Sequence, residues 1–349
     1  MKISLLAMGL FSAALLSGRA SAAETDYAAG AQALALQQAG GSARAMAMGS
    51  AVVAVPDGSA SLLWNPAALS RMNCREIGLH DDQGLAGILQ GIAIFGMPLG
   101  EVKDCNEKEC KGGSLGGIAA EFGYVNYGSI SGTDALGNQT GNYSAGEYSG
   151  SVGWGMELLP GLSAGADLKT NWSNVANQGY QAYAADLGLL YNIIPALDLG
   201  LAYSNINLGN KVGGNPLTAG WRVGAGWTVN PRWILAVSGE LQNNGENRIQ
   251  FGTEYLIGNL KKRSNVLALR AGYDVNYPDP QLSGLTGLTL GLGYTITRSL
   301  VLDYAMSTSG DLGISNRFSL TFKFDCPKKS RVIARSYPAA PAASRATPP

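Results

Sequence analysis

Between residues 75 and 324 the sequence runs in segments of about ten residues whose polarity alternates residue by residue. A period of two belongs to a strand with two unlike faces. The position of the charge narrows the fold further. Over 162–173 one face carries Ala164, Ala166, Leu168, Thr170 and Trp172, and the other Ser163, Gly165, Asp167, Lys169 and Asn171. Over 181–191 Tyr183, Leu187, Leu189 and Tyr191 oppose Ala182, Ala184, Asp186 and Gly188. Trp221, Val223, Ala225, Trp227 and Val229 oppose Arg222, Gly224, Gly226 and Thr228. The last segment sets Phe318, Leu320, Phe322 and Phe324 against Arg317, Ser319, Thr321 and Lys323. A lipid-facing Arg or Lys at the midplane costs about 2–4 kcal/mol, so a bilayer imposes this separation.

Strands are expected near 75–81, 86–97, 115–130, 145–157, 162–173, 180–192, 197–206, 219–229, 232–242, 247–257, 265–275, 286–297, 299–307 and 313–324. The count is even, as in single-chain bacterial barrels. Ten residues at ~3.3 Å, tilted ~40°, rise ~25 Å, the height of an outer-membrane apolar band. Leu159-Pro160-Gly161, Ile194-Pro195-Ala196, Asn230-Pro231 and Thr297-Arg298 read as tight turns. They alternate with longer loops at 132–144, 207–216 and 276–284. A soluble sandwich has no reason to keep that alternation along the whole chain. The predicted fold is all-β: a transmembrane antiparallel barrel of about 14 strands.

Composition agrees. Charged residues make up 14% of the chain, against ~25% in soluble domains. Lys and Arg number 25, as do Asp and Glu, so the formal net charge is zero and nothing suggests a nucleic-acid partner. Lys2, the apolar stretch 3–16 and Ala20-Ser21-Ala22 read as a signal peptide over 1–22. No later apolar run approaches the ~20 residues of a membrane-spanning helix. The expected division is 1–22 signal, 23–73 lead and plug, 74–325 barrel and 326–349 a Pro/Ala-rich basic tail too poor in apolar residues to fold. The tail reads as a solvated end or a periplasmic tether.

Residues 41–69 are small, almost uncharged and rich in helix signals. Asn65 is a candidate N-cap with Pro66 at the first helical position. A second start lies at Asp57 to Ser59, ahead of 60–64. Two short helices and a small-residue strand make a poor domain alone and a good plug for a lumen.

Ser42-Ala43-Arg44-Ala45-Met46-Ala47-Met48-Gly49, then Ala51-Val52-Val53-Ala54-Val55, an acidic turn and Trp64-Asn65-Pro66-Ala67, resemble the N-terminal hatch of FadL-like outer-membrane barrels, with the PorV/PorQ branch nearest. Leu269-Arg270-Ala271-Gly272-Tyr273, Leu302-Asp303-Tyr304-Ala305, Gly310-Asp311-Leu312-Gly313 and Asn316-Arg317-Phe318-Ser319-Leu320 extend the resemblance over most of the mature chain. Ser50 and Pro56-Asp57-Gly58 depart from the family pattern. The resemblance implies a fourteen-stranded outer-membrane barrel and a hatch carrying Arg44, Gly49, Asp57, Trp64, Asn65, Pro66 and Ala67.

Parity along the strands assigns Glu121, Glu157, Asp167, Lys169, Asp186, Asp198, Arg222, Glu240, Glu254, Arg270 and Asp303 to a polar lumen. They either pair with one another and with plug backbone or line a ligand path. Arg44 is expected to pair with a lumen acid or with Asp57. Four cysteines allow three pairings. If the first strand closes on the last, Cys74 meets Cys326 and Cys105 is left to Cys110; free or metal-bound thiols are the alternative. His80, the sole histidine, is expected at a rim or in a loop. One imidazole without a Gly-x-Ser-x-Gly elbow argues against triad chemistry. No enzyme, metal or cofactor is expected.

For such a barrel, the expected partners are outer-membrane lipid and the barrel-assembly machinery. The resemblance implies two functions. FadL-like barrels pass long-chain fatty acids or other hydrophobic molecules, whereas PorV-like barrels bind secreted proteins and hand them on during type IX secretion. A structural barrel with a periplasmic tether is a third, plainer expectation.

Overall fold

The structure, a computed structural model, describes residues 41–102, 112–176, 178–209, 217–243, 247–260, 264–275 and 284–326. The signal segment, the lead to Gly40, the Cys105–Cys110 pair and the tail beyond Cys326 lie outside the described residues.

The alternating segments form β1 (Arg75–Gln83), β2 (Leu89–Pro98), β3 (Gly117–Thr133), β4 (Gln139–Leu159), β5 (Leu162–Val175), β6 (Gln178–Ile194) and β7 (Leu197–Asn207). They continue as β8 (Gly220–Asn230), β9 (Trp233–Gln242), β10 (Asn247–Gly258), β11 (Val266–Val275), β12 (Thr286–Thr297), β13 (Leu300–Ser309) and β14 (Ile314–Phe324). Each pairs antiparallel with its sequence neighbours, and β1 closes on β14 with Arg75 opposite Phe324. In a bilayer no water can satisfy a bare strand edge, and closure removes both edges. No described helix is long and apolar enough to cross a membrane.

Side chains follow the alternation. Leu168, Trp172, Leu187, Trp221 and Phe318 are exposed on the outer face, while Asp167, Asn171, Asp186, Arg222 and Arg317 are buried inside. Exposed aromatic residues form two belts. Phe95, Trp154, Tyr191, Trp227, Tyr255, Tyr294 and Phe322 lie toward the end where β1 begins and β14 finishes. Tyr124, Tyr148, Trp172, Trp221 and Tyr273 lie toward the other end. Paired belts around an apolar band are the anatomy of a transmembrane barrel.

Two expectations about irregular segments are corrected. The stretch 132–144 is not an open loop: β3 and β4 stay paired to Thr133 and Gln139 around a turn at 134–138, interrupted by a bulge between Asn126 and Ser129. Above a bilayer both faces of a ribbon meet water, so polarity stops alternating while backbone pairing continues. Asn138 closes the turn, its side chain and backbone N–H holding the Asp134 carboxyl below its ordinary titration range. Within the plug, 51–55 is not a strand. Val52 N–H donates to Ser50 O and Val55 N–H to Val52 O, tight turns that let the segment follow the curved wall.

The disulfide Cys74–Cys326 joins residues 252 apart, one position before β1 and two after β14, and Arg75 pairs with Asp325 beside it. Chain-entropy arguments set a ceiling of about 5 kcal/mol on its contribution. Reduction, or Cys74→Ser, should lower the temperature at which the folded barrel loses its detergent-resistant gel mobility. An unchanged transition would show that the staple adds nothing to a sheet already closed.

Candidate functional site

The lumen is occupied by residues 41–73. α1 (Ala43–Ala47) is capped by Ser42, whose Oγ accepts from Ala45 N–H at 3.0 Å, a cap the sequence reading missed. A 3₁₀ helix over Gly58–Leu63 follows Asp57, but Asp57 does not cap it; its carboxylate accepts from Ser42 Oγ and Arg44 instead. A second 3₁₀ helix, Pro66–Arg71, begins at the expected place. Asn65 Oδ1 accepts from Ala67 N–H at 3.1 Å, and its Nδ2 donates to Val53 O in the plug and Leu189 O in the wall. Asn65 thus caps a helix and fastens the plug with one side chain.

The barrel wall accepts the plug closely because its inner face is glycine where the plug touches it. Gly155, Gly165 and Gly188 surround Pro66, and a Cβ at any of them would strike Pro66 or Asn65. Gly252 and Gly272 do the same for Met48 and Gly49. Gly49 has φ +60°, and a side chain there would also meet the backbone of Phe251 and Tyr273.

Charge holds the same surfaces together. Arg44 grips Glu254 in a two-pronged ion pair, with Nε and Nη2 each 2.8 Å from a carboxylate oxygen, and its Nη1 donates to Asp57 at 3.1 Å and to Pro56 O at 3.0 Å. Arg270 shares Glu254 at 2.7 Å and reaches Asp303 at 2.6 Å. The chain Asp57–Arg44–Glu254–Arg270–Asp303 therefore runs from plug to wall as alternating charges. On the neighbouring strands β8 and β9, Arg222 donates to Glu240 at 3.0 Å and to the plug carbonyl of Leu63 at 3.2 Å, with its guanidinium 5.4 Å from the centre of the Trp64 ring.

The other assigned groups find partners within the wall, and of their buried oxygens Asp167 Oδ2 is left without a hydrogen bond. Lys169 donates to Asp186 at 2.5 Å, and Asp167 accepts from the backbone of Asp186 at 3.0 Å. Glu121 accepts from Ser149 and Ser151, and Asp198 from Asn192. Glu157 lies at the barrel's end, where it accepts from Gly161 N–H and closes a turn.

His80 is corrected. It is buried on the inner face of β1, 2.7 Å from Ser319 Oγ, and not at a rim. Glu76, Asp82, Glu147, Arg248 and Asp274 are also buried on strands' inner faces and were missed. Their signal was parity: Glu76, His80 and Asp82 share the face of Gly78.

Apolar side chains of plug and wall meet at more than one place, with Met48, Val52, Val55 and Trp64 against Ala236 and Ile234 of β9, and a second group on β2 and β3. Leu62, Leu69 and Met72 of the plug form a buried cluster with Ile92, Ile94 and Val125 of the wall, and Ile88 and Tyr127 extend it toward the end of the barrel remote from the termini. Among the described residues no group of three or more His, Cys, Asp or Glu could hold a metal ion.

The class defined by these features is a fourteen-stranded barrel, apolar outside and charged within, filled by its own N-terminal segment. No protein-family model matches the chain, and no curated protein matches its sequence. Solved structures share the fold. The CymD monoaromatic hydrocarbon channel aligns with a TM-score of 0.56 at 14% identity, over 82% of this chain and 98% of CymD. The Pseudomonas putida toluene transporter TodX gives 0.53 at 15%, over 81% and 96%. A Pseudomonas aeruginosa FadL homologue gives 0.52 at 12%, over 81% and 97%.

Removing one partner of a buried ion pair costs up to about 3–5 kcal/mol. Arg44→Ala should speed hydrogen exchange through 43–57 and leave β4–β9 unchanged; unaltered exchange in the plug would discount the pair. Gly165→Val should drive Pro66 off the wall and raise single-channel conductance. Conductance equal to that of the parent would mean the contact is not what seals the lumen.

Proposed function

We propose that this chain is a FadL-like outer-membrane channel that carries small hydrophobic molecules through a plugged barrel, exported by its signal peptide and inserted by the barrel-assembly machinery. The observation that carries the proposal is the apolar strip on the inner face of β2 and β3, in a lumen whose wall is elsewhere rich in polar and charged side chains. From Ile88 and Tyr127 it descends past Val125, Ile92 and Ile94 to Leu62 and Leu69 of the plug. A hydrophobic solute gains ~25 cal/mol per Å² by leaving water for such a strip, and the charged walls give it no competing hold. The fold is shared with proteins described as a toluene transporter and a monoaromatic hydrocarbon channel, which supports the same class of cargo. Under this reading the Arg44–Glu254 pair fastens the hatch, and the paired carboxylates and guanidiniums keep the lumen rigid.

A second reading rests on the β3–β4 ribbon. Its outer part, 128–144, is built largely of Ser, Gly, Thr, Asn and Tyr, residues that suit adaptable protein contact better than capture of grease. This is the feature that favours a PorV-like platform for secreted proteins.

Vesicles containing the protein should accumulate labelled toluene or a long-chain fatty acid well above empty vesicles. Val125→Asp, which puts a charge in the strip, should cut the rate at least about tenfold while the barrel still folds. Equal accumulation with and without protein rules out the channel. Normal uptake after excision of 129–142, with loss of bound secreted protein, assigns the ribbon to the platform role.

A further inference from the structure

The outer face carries a groove of about 730 Å³ across β11–β14 and β1–β3. Its wall includes Leu79, Phe122, Leu302, Phe318 and Leu320, all exposed on the outward side of their strands. One charge stands among these side chains. Asp81 is exposed on the outward face of β1, two residues beyond Leu79 and in register with Phe318 and Gly91.

Among the described residues, Asp81 is the one ionisable Asp, Glu, Lys or Arg on the outward face of the strands short of their ends, and across β2 it is in register with Tyr124 of the aromatic belt. Every other such residue there follows the inward parity. At the belt an outward carboxylate costs little, and it stands where lipid head groups meet the barrel. No described cation pairs with it, and its surroundings are aromatic. The Tyr124 ring lies over Gly91, filling the place of the side chain that glycine lacks beside Asp81. Tyr304, whose hydroxyl donates to Asn316 Oδ1 at 2.7 Å, and Phe318 complete that end of the groove.

We propose that this groove binds one membrane lipid whose head group carries a protonated amine, with an acyl chain along Leu79, Phe122 and Phe318 and the ammonium against Asp81. A carboxylate flanked by ring faces favours an ammonium by direct charge and by cation–π attraction. The same carboxylate repels a head group that offers only phosphate. The inference rests on the membrane reading above, because the groove faces lipid only if the barrel spans a bilayer. It adds a lipid site on the outside that the passage of cargo through the lumen does not require.

The test uses the full chain in nanodiscs made from equal parts phosphatidylethanolamine and phosphatidylglycerol, with retained lipid counted by native mass spectrometry. Retained phosphatidylethanolamine should exceed phosphatidylglycerol about threefold to fivefold, the effect of a single partly exposed ion pair. Asp81→Asn should bring the ratio to parity, with Asp81→Ser as a second variant if the amide disturbs insertion. Phe318→Ala should reduce retention of both lipids and keep their ratio. Equal retention by the parent protein, or a preference that survives loss of the carboxylate, overturns the proposal and leaves the channel intact. Failure to enter a bilayer at all overturns both.

Discussion

The structure depends on the pairing of β1 with β14. Strands in hydrocarbon have no water to satisfy their backbone groups, so thirteen strand pairs without the fourteenth would leave two unsatisfied edges. Closure also creates an interior that lipid cannot reach. Within it Arg, Lys, Asp and Glu become affordable, provided each finds a partner. The inner face meets that condition largely with neighbours across the sheet, as in Lys169–Asp186 on β5 and β6 or Arg222–Glu240 on β8 and β9. Arg44 differs in reaching the wall from the plug, which ties the packing of residues 41–73 to the same electrostatic system.

The glycine content follows from the same geometry. A barrel of this size has room for chain inside it only where the wall withdraws. It withdraws at Gly155, Gly165, Gly188, Gly252 and Gly272, which meet Pro66, Met48 and Gly49. Where the plug does not touch, the inner face carries serine, asparagine, glutamine and charge. Close packing, ion pairs and caps therefore hold the plug at separate points around its circumference.

Much of this was legible in the sequence because a bilayer enforces a strict rule. The parity of Asp167, Asp186, Arg222 and Glu254 was enough to put them inside, and the closure of β1 on β14 was enough to bring Cys74 to Cys326. Legibility failed where that rule lapses. Beyond the membrane both sides of a strand are wet, so the ribbon at 132–144 looked like loop. Inside the plug, where neither face meets lipid, Ala51 to Val55 read as strand although the chain there turns. His80 was misplaced because a lone imidazole was judged by rarity and not by its place between Gly78 and Asp82. The pairing of Arg44 with Glu254 across 210 positions depends on how far the plug reaches around the wall, which no local pattern encodes.

The bond between Cys74 and Cys326 makes the polypeptide from one cysteine to the other a covalent macrocycle. Residues 41–73 precede its first member, so they hang from that circle as a pendant, attached to it covalently only at Cys74. Departure of the pendant from the bore would break ion pairs and hydrogen bonds but leave the circle whole. Its covalent pivot would be the short link through Met72 and Asn73, at the end of the cylinder where the disulfide sits.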